Sequence, residues 1–132
     1  MNEVQNDRDT NCPFCTLSSD AIIVENDLAF AINDRYPVTS GHMLVIPKRH
    51  AADYFDLTPD ELDACNSLLR KVKNDIQTTD SSVTGFNIGV NIGRSAGQTI
   101  FHCHLHLIPR RDGDTEKPRG GVRGVIPGRQ RY

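Results

Sequence analysis

The chain has 132 residues, with 15 Lys and Arg against 17 Asp and Glu for a formal net charge of −2, 37% hydrophobic residues, five histidines and four cysteines. That length and apolar content suit one domain around a single core, and the slightly acidic balance lacks the basic field that sequence-independent nucleic-acid binding requires, which leaves small nucleotides as better partners than duplexes. No apolar run near the N-terminus reads as a signal peptide or membrane span, and four cysteines without an export signal point to reduced thiols and a cytoplasmic protein.

Residues 1–11 are polar and aperiodic and read as a flexible tail. Cys12-Pro13-Phe14-Cys15 comes next, a pair at zinc-ligand spacing with no second Cys-x-x-Cys later in the chain. A thioredoxin-like redox role would want a strand before it and a helix after it, and the polar tail offers neither. Residues 21–25 and 28–32 are short β-prone runs divided by Asn26-Asp27, a pair that tolerates the positive φ of a tight hairpin turn. A turn-rich connection over 33–41 leads to a third strand over 42–47, ended by a proline that cannot donate to a ladder.

Thr58-Pro59-Asp60-Glu61 combines a capping hydroxyl, proline at the first helical position and glutamate three residues after the cap, which predicts a helix start. Leu62, Cys65, Leu69, Val72 and Ile76 recur at helical steps and give it one buried face, and the helix should fade over the polar stretch 78–82. A fourth strand over 86–90 runs into a loop, 91–99, rich in small and hydrogen-bonding residues, whose backbone amides with Gln98 and Thr99 offer a nest for an anion. It lacks the Gly-Lys-Ser/Thr of a P-loop. Residues 100–109 then place histidines at every second position. As a strand they would line one face with His102, His104 and His106, about 7 Å apart, and the other with Phe101, Cys103, Leu105 and Leu107. Five strands and one long helix make an α+β class. Beyond Asp114, residues 115–132 are rich in Gly and Arg, with Val122, Val125, Ile126 and Tyr132 as apolar anchors that dock on the domain or on a second subunit.

The run Gly97-Gln98-Thr99-Ile100-Phe101-His102-Cys103-His104-Leu105-His106-Leu107-Ile108-Pro109-Arg110 resembles the signature of the histidine triad (HIT) superfamily, and the blocks 30–34 and 41–47 match in the same order, so the resemblance spans about 12–114. It implies a HIT-like fold: an antiparallel sheet of about five strands with one long and one short helix. It also implies a homodimer that binds a small purine nucleotide and cleaves at the α-phosphate through a nucleotidyl-histidine. A neutral imidazole suits that attack because it escapes the repulsion that charged phosphate oxygens impose on anions. By resemblance His104 is the nucleophile, His106 helps place the phosphate, and His42 faces the same site. Asp34 meets the ribose hydroxyls, Gly97, Gln98 and Thr99 hold the α-phosphate, and Asn91 lies near the leaving group. Phe30 and Ile32 are either walls for the base or core. In zinc-bearing members a structural Zn2+ takes the positions of Cys12, Cys15, His50 and His102. Without metal His102 would be an active-site donor. Dinucleoside polyphosphates and nucleoside phosphoramidates both remain open as substrates, and a non-enzymatic nucleotide-binding regulator is the alternative.

Overall fold

The computed structural model describes residues 9–132. Most of the expected N-terminal tail, 1–8, lies outside the described residues, and residues 9–12 already make a turn: Asn11 N donates to Asp9 Oδ1, and Cys12 N to Asp9 O. Strands β1 (Ile22–Glu25), β2 (Ala29–Asn33) and β3 (Met43–Pro47) form an antiparallel meander, helix α1 (Pro59–Thr79) crosses over, and β4 (Val83–Val90) and β5 (Leu105–Arg111) complete a five-stranded sheet of order β1-β2-β3-β5-β4. Every neighbouring pair is antiparallel. The class is the expected α+β, with a five-stranded antiparallel sheet and one long helix, and in place of a short α-helix there are 3-10 turns such as Ser19–Ala21, Tyr54–Asp56 and Arg94–Ala96.

Helix α1 starts where the sequence predicts, with both bonds of the capping box in place: Glu61 N donates to Thr58 Oγ1 at 3.1 Å, and Thr58 N to Glu61 Oε1 at 2.8 Å. Cys65, Leu68, Leu69 and Val72 bury its inner face against Ala29, Ala31, Met43, Val45, Leu105 and Leu107. Each large aliphatic side chain so buried contributes about 1.5–3 kcal/mol. Strict alternation sends Phe30, Ile32, Leu44 and Ile46 to the opposite face, where Phe14, Leu17 and Ala21 cover them in part. The helix therefore occupies one face of the sheet and leaves the other for a site.

Strand β4 begins at Val83, three residues before the expected start, and two further local expectations change. The β1–β2 turn uses no positive φ at Asn26 or Asp27, because the Asn26 side chain carries it instead, with Oδ1 accepting from Leu28 N and Ala29 N. The last strand begins at Leu105, not at residue 100. Backbone and side-chain groups of 100–104 are spent on other partners: Gln98 Nε2 donates to Ile100 O, Cys103 N to Ala51 O, and His104 Nδ1 to His102 O. The alternation accordingly breaks there, with Phe101 45% exposed and His102 fully buried. Among the described residues no helix is long and apolar enough to cross a membrane.

Candidate active site

Register places the chemistry. His106 stands opposite Leu44 on the face away from α1, and His42 enters from the residue just before β3. They meet Asp34, just past the end of β2, and Asp34, His104 and His106 line a cavity of about 620 Å³ walled also by Phe14, Leu17, Ile32 and Leu44. Ile32 is thus core and wall at once, while Phe30 is core only.

Hydrogen bonds fix which ring nitrogen carries the proton of each neutral imidazole. His104 Nδ1 lies 2.8 Å from the carbonyl of His102, which can only accept, so in the neutral ring Nδ1 carries the hydrogen and Nε2 the lone pair. The edge of Phe14 packs on the same ring, with centroids 5.1 Å apart. On His42 the assignment is reversed: Val38 N donates to Nδ1 at 3.1 Å, so Nε2 bears the hydrogen. That Nε2 sits 2.9 Å from His106 Nδ1 and 3.2 Å from Asp34 Oδ2. His106 Nδ1 is 3.8 Å from the carboxylate, too far to donate to it, and therefore accepts from His42. His106 is left with Nε2–H, a donor. Burial holds His106 below the ordinary imidazole range, which keeps it neutral at pH 7. Asp34 is itself fixed by Tyr36 N, which donates to its Oδ1 at 2.8 Å.

A second cluster lies behind the first. Cys12 Sγ and Cys15 Sγ are 3.4 and 3.5 Å from His102 Nδ1, and Cys15 Sγ is 3.3 Å from His50 Nδ1. All four donor atoms lie within 4.8 Å of one another. Ligand bonds of zinc length in a tetrahedron set sulfur and nitrogen about 3.5 Å apart, so these spacings fit such an ion. His102 donates Nε2–H to Pro47 O at 2.7 Å, which aims the Nδ1 lone pair at the thiols, and burial pushes its pKa down to about 4. Asp34, His42 and His106 also lie close enough for one ion. An ion on His42 Nε2 would, however, require an imidazolate, since Nδ1 already accepts from Val38, and the hydrogen-bonded arrangement is the better account.

The expected phosphate loop is placed differently. Gln98 is buried, its Oε1 accepting from Gly93 N and its Nε2 donating to Ala52 O and Ile100 O, so this side chain braces the loop and has no hydrogen left for a phosphate. Asn91, Gly97 and Thr99 do not line the 620 Å³ cavity. Gly97, at φ +92°, ends the 3-10 turn Arg94–Ala96, and Thr99 faces a shallower depression beside Cys12 and His50. Sequence reasoning missed Phe14, whose position between the two cysteines was the available signal. It also missed the backbone groups of Val38 and Pro47, which leave no signal.

A profile described as HIT domain matches residues 17–113. The chain belongs to the histidine triad family. A hypothetical histidine triad nucleotide-binding protein from Sulfolobus tokodaii superposes with a TM-score of 0.71 at 39% identity, over 78% of this chain and 71% of that one. A zinc-bound histidine triad family protein from Mycobacterium smegmatis gives 0.73 at 35% identity, over 81% and 80%. The Arabidopsis thaliana protein named adenylylsulfatase HINT3 is 36% identical over 115 residues, which are 84% of this HIT chain but 56% of that protein.

Proposed function

We propose that this HIT protein hydrolyses a nucleotide derivative at its α-phosphorus through His104. The observation that carries the proposal is the hydrogen bond from His104 Nδ1 to the His102 carbonyl, which leaves Nε2 as an uncharged lone pair beside a cavity large enough for a nucleoside. His104 Nε2 forms a bond to phosphorus as the bond to the leaving group breaks. Water then attacks the same phosphorus and the P–N bond breaks, returning the lone pair to Nε2; the water's hydroxyl stays on the nucleoside monophosphate and its other proton goes to the leaving group or, where that is sulfate, to solvent. His106 Nε2–H donates to a non-bridging oxygen, a contact of the kind that contributes about 3–4 kcal/mol when it strengthens in the transition state. The base occupies the apolar walls, the ribose hydroxyls reach Asp34, and Thr99 with the backbone around Gly97 meets the outer phosphate oxygens. Asn91 lies toward the leaving group. The adenylylsulfatase name of one relative supports cleavage at an adenylyl phosphorus.

Cys12, Cys15, His50 and His102 hold a structural zinc ion in this proposal, and when bound it would cross-link the N-terminal loop to the segment before β5. A homodimer completes it: β4 is an edge strand whose Ile88 is 51% exposed, beside a groove of about 370 Å³ along α1.

The test is a panel of adenylyl sulfate, adenosine phosphoramidate and a dinucleoside polyphosphate with wild type and His104→Ala. Turnover on at least one substrate, absent in the variant, is expected. A substrate chiral at the α-phosphorus should give net retention, because two displacements each invert it. Net inversion would overturn the covalent route.

A further inference from the structure

We infer that Arg111 is a positioning residue for the His42–His106 pair, acting through the loop 34–42. The inference rests on the proposed chemistry for its kinetic consequence and on geometry alone for its structural one. The loop folds back on His42 at three points: Asp34 N donates to His42 O at 3.0 Å, His42 N to Thr39 O at 3.2 Å, and Val38 N to His42 Nδ1 at 3.1 Å. The third of these decides the tautomer of His42 and, through it, that of His106. Val38 N must therefore stay within reach of Nδ1, and within the turn the bond from His42 N to Thr39 O holds this stretch from one side.

Arg111 adds a second hold. Its Nη1 donates to Thr39 Oγ1 at 3.0 Å and its Nη2 to Ser40 O at 3.1 Å, which takes the loop by the two residues after Val38. The guanidinium is in turn fixed from the other side, by Asp80 Oδ2 at 2.8 Å and by Ser82 Oγ, to which Nε donates at 3.0 Å. Asp80 is the C-cap of α1 and Ser82 leads into β4, so the clamp ties the loop to the rigid end of the helix. Gly41 completes it at φ +89°, where a Cβ would come within 3.2 Å of Pro109 Cγ. A planar fork of donors matches these four acceptors on two segments, 39–40 and 80–82, and an ammonium with three donors cannot reproduce it.

The consequence is readable without any substrate. In the 15N-labelled full chain at pH 8, nitrogen shifts should show both His42 and His106 as single Nε2–H tautomers. In Arg111→Ala, folded by its amide spectrum, His42 should become a mixture of tautomers, and on any substrate turned over by wild type, kcat should fall about 10- to 100-fold with KM within about two-fold. Thr39→Val removes one acceptor while leaving Asp80 and Ser82 to hold the guanidinium. It should produce a smaller change of the same kind, and it serves if Arg111→Ala does not fold. Single Nε2–H tautomers retained in folded Arg111→Ala, or in Thr39→Val should the former be unfolded, overturn the inference and make Arg111 a brace only. Should wild type show the stated tautomers yet turn over no substrate, the proposed function fails and the clamp stands.

Discussion

His102 serves two clusters with different atoms: its ring faces Cys12 and Cys15, and its carbonyl holds His104 Nδ1. Substituting it removes the ring from the cysteine cluster and leaves the carbonyl in the chain, whereas His104→Ala should remove turnover and leave nucleotide affinity within about three-fold, a loss confined to kcat; isothermal titration with a nucleoside monophosphate checks the affinity. Glu61 is a different case. Its carboxylate takes Arg49 Nε and Nη2, each at 2.8 Å, and the hydrogen bonds from Arg49 set its pKa below the ordinary 4.5. A depressed folded pKa stabilises the protein above the unfolded value and loses that stability as pH falls through the folded one. Glu61→Gln should lower the melting temperature at pH 7 and narrow the gap to wild type below pH about 4.5, as thermal melts across pH will show. At this scale the histidines and cysteines that the fold brings together were legible and their protons were not. The Cys12/Cys15 pair and the alternating histidines can be read from spacing, but the groups that set the tautomers are backbone N–H and C=O of Val38 and His102. Gln98 looked like a ligand donor because its true acceptor, Ala52 O, lies 46 residues away.

Among the elements, α1 was the easiest to read because its signals are local: cap, proline and glutamate lie within four residues, and the apolar steps come directly after them. Thr58→Ala should cost about 1 kcal/mol by removing the acceptor for Glu61 N, measurable as a denaturation midpoint shift at constant slope. Leu68→Ala, at a position the periodicity did not single out, should cost about 2–5 kcal/mol because Leu68 is 3% exposed in the core under the sheet. The start of β5 was not legible for the opposite reason. Side-chain alternation over 100–109 is compatible with a strand throughout. The ladder stops at Leu105 because of distant partners, Ala51 for the Cys103 amide and the cysteine pair for His102.

For the molecule as a whole, the zinc and dimer proposals give separate outcomes. Cys12→Ser should lower metal content by elemental analysis and the melting temperature together, since a metal bound only by the folded state stabilises it. Wild type should scatter light as twice the chain mass at micromolar concentration. The sheet order carries one more consequence, for synthesis. β5 is the last strand to leave the ribosome, yet it lies between β3 and β4. Until it inserts, each of those earlier strands presents a bare hydrogen-bonding edge, and β3, all five of whose residues are buried in the finished protein, is the more adhesive. His42 and His106 are brought together by this final insertion, across 64 positions of sequence. A nascent or truncated chain ending before Leu105 thus has the helix, four strands and, of the two clusters, every side chain but His106 in hand, with no strand to join β3 to β4 and two open edges inviting aggregation.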